Sequence, residues 1–266
     1  MSANASGDHL SALRIERQAV LDFCADLTDA EWHAESRAAG WSVKDVVAHM
    51  AADLRSVVTP DALAFMATKD VESLNERAVA ASRPRSPQQV LEGFATWTRV
   101  GTAALAVMTA PGVGRVRLRV AELGRYPMRI FPAMFLFDWH THLRHDIAPA
   151  LDRPHPPTDE RRTASILEWL TTLLEQSHRQ RLAWLDVPVA ISFTGPGSGA
   201  WRIEPERGRP VRVRRGGTEN TAVQITARAD EFPLWGTTRA AWRDCDVSIA
   251  GDAEIGARVL DSIDLI

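Results

Sequence analysis

A chain of 266 residues, 45% hydrophobic and 24% charged, has apolar material for a sizeable core and length for two modest domains. A formal net charge of −3 gives no electrostatic basis for expecting nucleic acid or an anionic membrane as partner. The two thiols, Cys24 and Cys245, exclude a disulfide framework or a thiolate metal cluster, and no run reaches the roughly 18 apolar residues of a membrane helix. With no basic-then-apolar leader in MSANASGDHL, the expected location is cytoplasmic.

From Asp8 to about Leu27, Leu10, Leu13, Ile15, Val20, Leu21 and Phe23 recur with mostly helical spacing and predict a first helix. In WSVKDVVAHMAADLRSVV, Ser42 is placed as an N-cap with Asp45 three residues on, which predicts a second helix to about Val58. Residues 60–81 read as weaker helix. Ser86 as cap and Pro87 at the first helical position open a third main helix that runs to Met108. Residues 110–127, with Pro111, Gly112, Gly114 and Gly124 around an alternating VRLRV, read as a long connection that includes extended chain. A fourth helix is expected from about Met128 to Ala148.

Pro154, Pro156 and Pro157 end that unit, and a periodic helical segment follows from Thr158 to about Leu185. Beyond Val187, VPVAISFTG, AWRIEP, PVRVRR and TAVQITA alternate as strands between polar or glycine-rich turns. ADEFPLWGTTRAAW reads as helix, CDVSIAG as strand and DAEIGARVLDSI as a closing helix, an α+β arrangement. The expected domains are a helical bundle over 1–155, a bridging helix over 156–186 and an α+β domain over 187–266.

FDWHTHLRHDI, residues 137–147, concentrates three of the eight histidines with two aspartates. At 3.6 residues per turn, Asp138, His142 and His145 fall at i, i+4 and i+7 on one helical face, with Phe135, Trp139, Leu143 and Ile147 as an adjoining apolar stripe. Such a face is either an ion-paired surface or a set of ligands turned into a bundle. Buried imidazoles and carboxylates need partners, and a divalent metal satisfies several at once; zinc takes His nitrogen and Asp oxygen and in catalytic sites leaves a position open. His49, beside the apolar stripe of Val43, Val46, Val47, Met50 and Leu54, is the candidate from a second helix, against the alternative of a core-edge histidine bonded to protein.

WSVKDVVAH resembles the tryptophan-led second-helix motif of the mycothiol-dependent maleylpyruvate isomerase family, within the DinB-like metal-binding four-helix bundles. FDWHTHLRHDI is similar to that family's carboxylate-x3-histidine motif with a following aspartate, here Asp138, His142 and Asp146. The resemblance implies His49, Asp138 and His142 as metal ligands, with aspartate where the family carries glutamate. It leaves His145 as an alternative ligand or, as adopted here, the catalytic acid/base group. FPLWGTTRAAWRDCDVSIAGDAEIGARVL is similar to the family's C-terminal region and implies a sterol-carrier-like α+β domain.

The resulting expectation is a thiol-dependent metalloenzyme with one divalent ion, zinc first and nickel or another ion next. A metal-bound low-molecular-weight thiolate, mycothiol or another thiol, would act on a small electrophilic substrate by isomerisation or sulfur transfer. The competing expectation is a non-enzymatic metal- and apolar-ligand-binding protein. Of Arg207, Arg209, Arg212, Arg214 and Arg215, Arg212 and Arg214 alternate with Val211 and Val213 as the wet face of a strand; GPGSG reads as a turn and Cys24 as core.

Overall fold

The structure, a computed structural model, describes residues 3–178, 180–206 and 209–265. It divides into two compact units, Met1–Pro157 and Thr158–Ile266. The segment expected to bridge, 156–186, therefore falls almost wholly in the second. Arg207 lies outside the described residues, as does the Arg209 side chain.

In the first unit, α1 (Ala3–Ala25) buries Leu13, Val20 and Cys24. A short α2 (Asp29–His33), absent from the sequence reading, is opened by a Thr28–Glu31 capping box. The chain then turns through a single antiparallel bridge, Glu35 to Ser42, into α3 (Val43–Ser56). The capping box expected there is complete: Ser42 Oγ accepts from the Asp45 N–H, and the Asp45 carboxylate accepts from the Ser42 N–H. Residues 60–81 form two helices, α4 (Asp61–Ala67) and α5 (Val71–Ala80), separated where Thr68 turns extended and Asp70 caps the next start. The third main helix, α6 (Pro87–Met108), has the expected limits, with Ser86 and Gln89 forming its capping box.

The connection after α6 contains a hairpin, β1 (Arg117–Val120) paired antiparallel with β2 (Gly124–Pro127). The expected fourth helix is not a single α-helix. A 3-10 turn at Met128–Ile130 leads into α7 (Phe131–Thr141), which gives way to a π-helix at His142–Ile147 and a further 3-10 turn at Ala148–Leu151. Nearly all of α7 is buried, so hydrophobic periodicity could not mark this change of winding.

The main helices pack α3 on α6 and α1 on α7, with α6 also touching α1 and α7. Gly101 lets α3 and α6 approach closely: a Cβ there would lie 2.5 Å from the Leu54 carbonyl oxygen and 2.7 Å from Leu54 Cβ. Gly101→Ala should therefore destabilise by about 1–3 kcal/mol despite alanine's better helix propensity. A lower denaturation midpoint at unchanged slope checks this.

In the second unit, α8 (Glu160–Ser177) is capped by Asp159, whose carboxylate accepts from the Arg162 N–H. Then come β3 (Val189–Thr194), β4 (Gly199–Glu206), β5 (Arg209–Arg215) and β6 (Val223–Arg228). The expected helix over ADEFPLWGTTRAAW is only the five-residue α9 (Phe232–Gly236), followed by a 3-10 turn at Trp242–Asp244. The cause is local: Thr238 is left-handed at φ 57°, and the Leu234 carbonyl accepts from the N–H groups of Arg239 and Ala240. β7 (Val247–Gly251) and α10 (Ala253–Ser262) complete the unit, the latter capped by Asp252.

The sheet order is β5-β4-β3-β6-β7; β3 and β6 are parallel and the other pairs antiparallel. α8 packs on β5 and α9, and α10 on β6 and β7. Phe193, Trp201, Phe232 and Trp235 pack together in this core. Arg212 and Arg214 stand exposed on β5 and Val211 is buried, the alternation expected of a strand with one wet face.

At the end of α8, His178 is 1% exposed and its Nε2 accepts from the Asp264 N–H at 3.0 Å. Burial, reinforced by Arg181, pushes its pKa down to about 4. The folded unit thus holds a neutral imidazole while the unfolded chain gains a proton below about 6.5. The contribution is intact above that pH and declines towards pH 4. A loss of about 1–2 kcal/mol over this window, absent in His178→Gln, should appear in pH-dependent melting.

Candidate metal centre

α3 carries His49 and α7 carries Asp138, and His142 begins the π-helix. One ligand atom from each of the three lies within 4.8 Å of the others. His49 Nε2 is 3.5 Å from Asp138 Oδ2, and His142 Nε2 is 3.5 Å from Asp138 Oδ1. Both imidazoles are buried, their rings 5.2 Å apart and nearly perpendicular. The capping box at Ser42 fixes the start of α3, and Val46, Val47, Met50 and Leu54, all fully buried, fix its rotation. Three residues separated by up to 93 positions thereby meet at one point.

Winding bears on where His145 falls. In a π-turn, hydrogen bonds close five residues apart and each residue advances by a smaller angle than in an α-helix. His145 consequently leaves the face it would share with Asp138 and His142, and it is not among the converging donors; its side chain is half-buried. Asp146, four residues on and beneath His142 in either winding, accepts a hydrogen bond from its Nδ1 at 2.7 Å and is 2% exposed. This contact leaves Nε2 as the ring nitrogen turned towards Asp138. The Asp146 carbonyl in turn accepts from the Arg37 N–H.

Of two neighbours, Trp41 entered the sequence reading only as the lead of the second-helix motif, and Asp53 was not singled out. Trp41 has its ring 5.0 Å from that of His49 and 6.4 Å from that of His142, and its Nε1 donates to Glu76 at 2.9 Å. Asp53, one turn beyond His49 on α3, has Oδ2 3.9 Å from His49 Nε2. The i,i+4 spacing from His49 is the signal that could have found it.

Burial by itself would lower the His49 pKa, but Asp53 and Asp138 outweigh it and raise it to about 9. Burial would likewise raise Asp138, yet His142 and His49 hold it well below the usual carboxylate range. Asp53 is pushed above that range, by burial first and then by the charge of Asp138. Without a cation, protons are what keep these facing carboxylates together. The donor set suits a divalent ion: Asp138 turns Oδ2 towards His49 Nε2 and Oδ1 towards His142 Nε2, each at 3.5 Å, longer than a well-formed hydrogen bond. Two imidazole nitrogens and a carboxylate are ligands that zinc, nickel and similar ions accept.

Comparison with known proteins follows this geometry. A family model for the mycothiol maleylpyruvate isomerase N-terminal domain matches residues 13–148, just over half of the chain. Among solved structures, the mycothiol-dependent maleylpyruvate isomerase aligns over 92% of each chain with TM-score 0.55 and 14% identity, and a histidine-to-alanine mutant of it aligns with the same values. A sterol carrier protein domain 2 of Helicoverpa armigera covers 36% of this chain and 80% of its own, at 16% identity and TM-score 0.29, too loose to bear on the fold. No curated protein matches the chain. Among the described residues no helix is long and apolar enough to cross a membrane.

Proposed function

Because the chain belongs to the mycothiol maleylpyruvate isomerase N-terminal domain family, we propose that it is a thiol-dependent metalloenzyme whose ion is held by His49, Asp138 and His142. The co-reactant is a low-molecular-weight thiol, mycothiol first, and the reaction is isomerisation of, or sulfur transfer to, a small electrophilic acid. The observation that carries the reading is the convergence of two buried imidazoles and one part-buried carboxylate, whose ligand atoms lie within 4.8 Å of one another. Zinc is the ion we assign.

A bound divalent ion would supply the positive charge that makes a thiol acidic near neutral pH. The protein's own groups do the rest. Asp146 holds the His142 proton on Nδ1, so that Nε2 stays available as a ligand atom. Trp41, anchored by Glu76, lays an apolar ring against both imidazoles and limits water on that side. For His145 we retain an acid/base role towards the substrate, and His145→Ala should then lower turnover while leaving metal content unchanged.

The test is turnover. Zinc-loaded protein incubated with mycothiol and maleylpyruvate should isomerise the acid only when both thiol and metal are present. Metal-loaded protein that leaves this and related electrophilic acids unchanged with a series of thiols overturns the enzymatic reading.

A further inference from the structure

His49 Nε2 faces two carboxylates, Asp138 Oδ2 at 3.5 Å and Asp53 Oδ2 at 3.9 Å, and both distances exceed that of a well-formed hydrogen bond. Each is an ion-pair spacing around a nitrogen whose ring is only 6% exposed. The Asp53 side chain is 15% exposed, and the one ion pair recorded for it among the described residues is with His49. Asp53 and Asp138 are also immediate neighbours of each other. Two carboxylates drawn together where water reaches them only in part, with side chains 15% and 27% exposed, repel unless positive charge stands between them. The orientation of His49 supplies a second reason: the atom it turns towards Asp138 is the same atom it turns towards Asp53, so both acids border the space where a cation would sit.

We propose that Asp53 is a fourth protein donor of this centre, which then consists of two imidazoles and two carboxylates. The inference rests on the metal reading above and adds to it. Two carboxylates balance the charge of a divalent ion, whereas the three-residue set leaves a net positive centre. The added hard oxygen favours ions that accept more than four ligands, such as cobalt, nickel or an expanded zinc site, and these keep room for a thiol beside four protein donors.

Cobalt(II) is the probe, because its visible absorption reports ligand number and type. The full-length protein, Asp53→Asn and Asp53→Glu are titrated with Co²⁺, with melting of each metal-free protein as a folding control. Asp53→Asn should bind Co²⁺ about 10- to 100-fold more weakly, with an altered spectrum. Asp53→Glu, which keeps a carboxylate, should recover most of the affinity. Unchanged affinity and spectrum in Asp53→Asn, with the parent protein binding Co²⁺, overturns the role of Asp53 and leaves the three-residue centre standing. Absence of Co²⁺ binding by the parent protein overturns the metal centre itself and this inference with it. Should Asp53→Asn fail to fold, Asp53→Glu decides: a shifted spectrum supports the assignment, and a spectrum and affinity identical to the parent's reject it.

Discussion

Replacing His49 with alanine should remove high-affinity metal binding, lowering affinity for Zn²⁺ more than about 100-fold, since loss even of a supporting group beyond the ligands costs 10- to 100-fold. His49 contributes a donor atom from α3, whereas Asp138 and His142 both come from the other segment. Without it, the three-residue set is reduced to the i,i+4 pair Asp138 and His142, and even with Asp53 the centre loses the donor that both aspartates face. The readout is the metal-induced stabilisation of the fold. At a free ion concentration 1,000 times the dissociation constant, the parent protein should gain about 4 kcal/mol, and the variant should gain almost none. Asp146→Asn should behave in a graded way, weakening binding about 10- to 100-fold, because it disturbs only the proton on His142 Nδ1. A parent protein that takes up no metal after supplementation removes the basis of the whole proposal.

The second large effect lies away from the centre. Arg144, in the π-helix, is 3% exposed and ion-paired through Nη1 with the Glu16 carboxylate on α1, which is 0% exposed. Its Nη2 also donates to the Pro157 carbonyl at 3.1 Å. Removing one partner strands a buried charge, so Glu16→Ala or Arg144→Met should each destabilise by about 3–5 kcal/mol. Replacing both together, as in Glu16→Leu with Arg144→Met, should recover most of the loss, since the desolvation cost of two ions disappears with them. Denaturation midpoints of the two single variants and the double variant form the cycle that tests this, and additive losses would refute it. Arg144 lies between His142 and Asp146 in sequence, so the single variants should also weaken metal binding.

Much of the chain was legible residue by residue. Ser42 with Asp45, and Ser86 with Pro87, carry the information for their helix starts in neighbouring side chains, because a cap is a local hydrogen bond. The alternation of Val211, Arg212, Val213 and Arg214 sufficed for β5 because one face of that strand is wet. The helix expected around Phe232 was overextended. Its apolar spacing suits an α-helix, but the left-handed backbone at Thr238 and the double use of the Leu234 carbonyl end it after five residues.

At the candidate centre, the pattern of residue types placed His49 on one helix and Asp138 and His142 on another, and the family resemblance grouped them. Their actual meeting, and everything around it, belongs to the tertiary structure. The shift from α- to π-winding at His142 turns His145 further from the face of Asp138 and His142, while Asp146, four residues on, stays beneath His142. No side chain in HLRHDI announces that shift, since it moves each hydrogen bond by only one residue. The environment holds it: Arg144 is paired with Glu16 on α1, and the Asp146 carbonyl accepts from Arg37. Sequence by itself determined the elements, because caps, periodicity and alternation act over a few residues. The tertiary structure decided which donors converge, because that depends on the rotation of two helices, and rotation is set by packing partners far away along the chain.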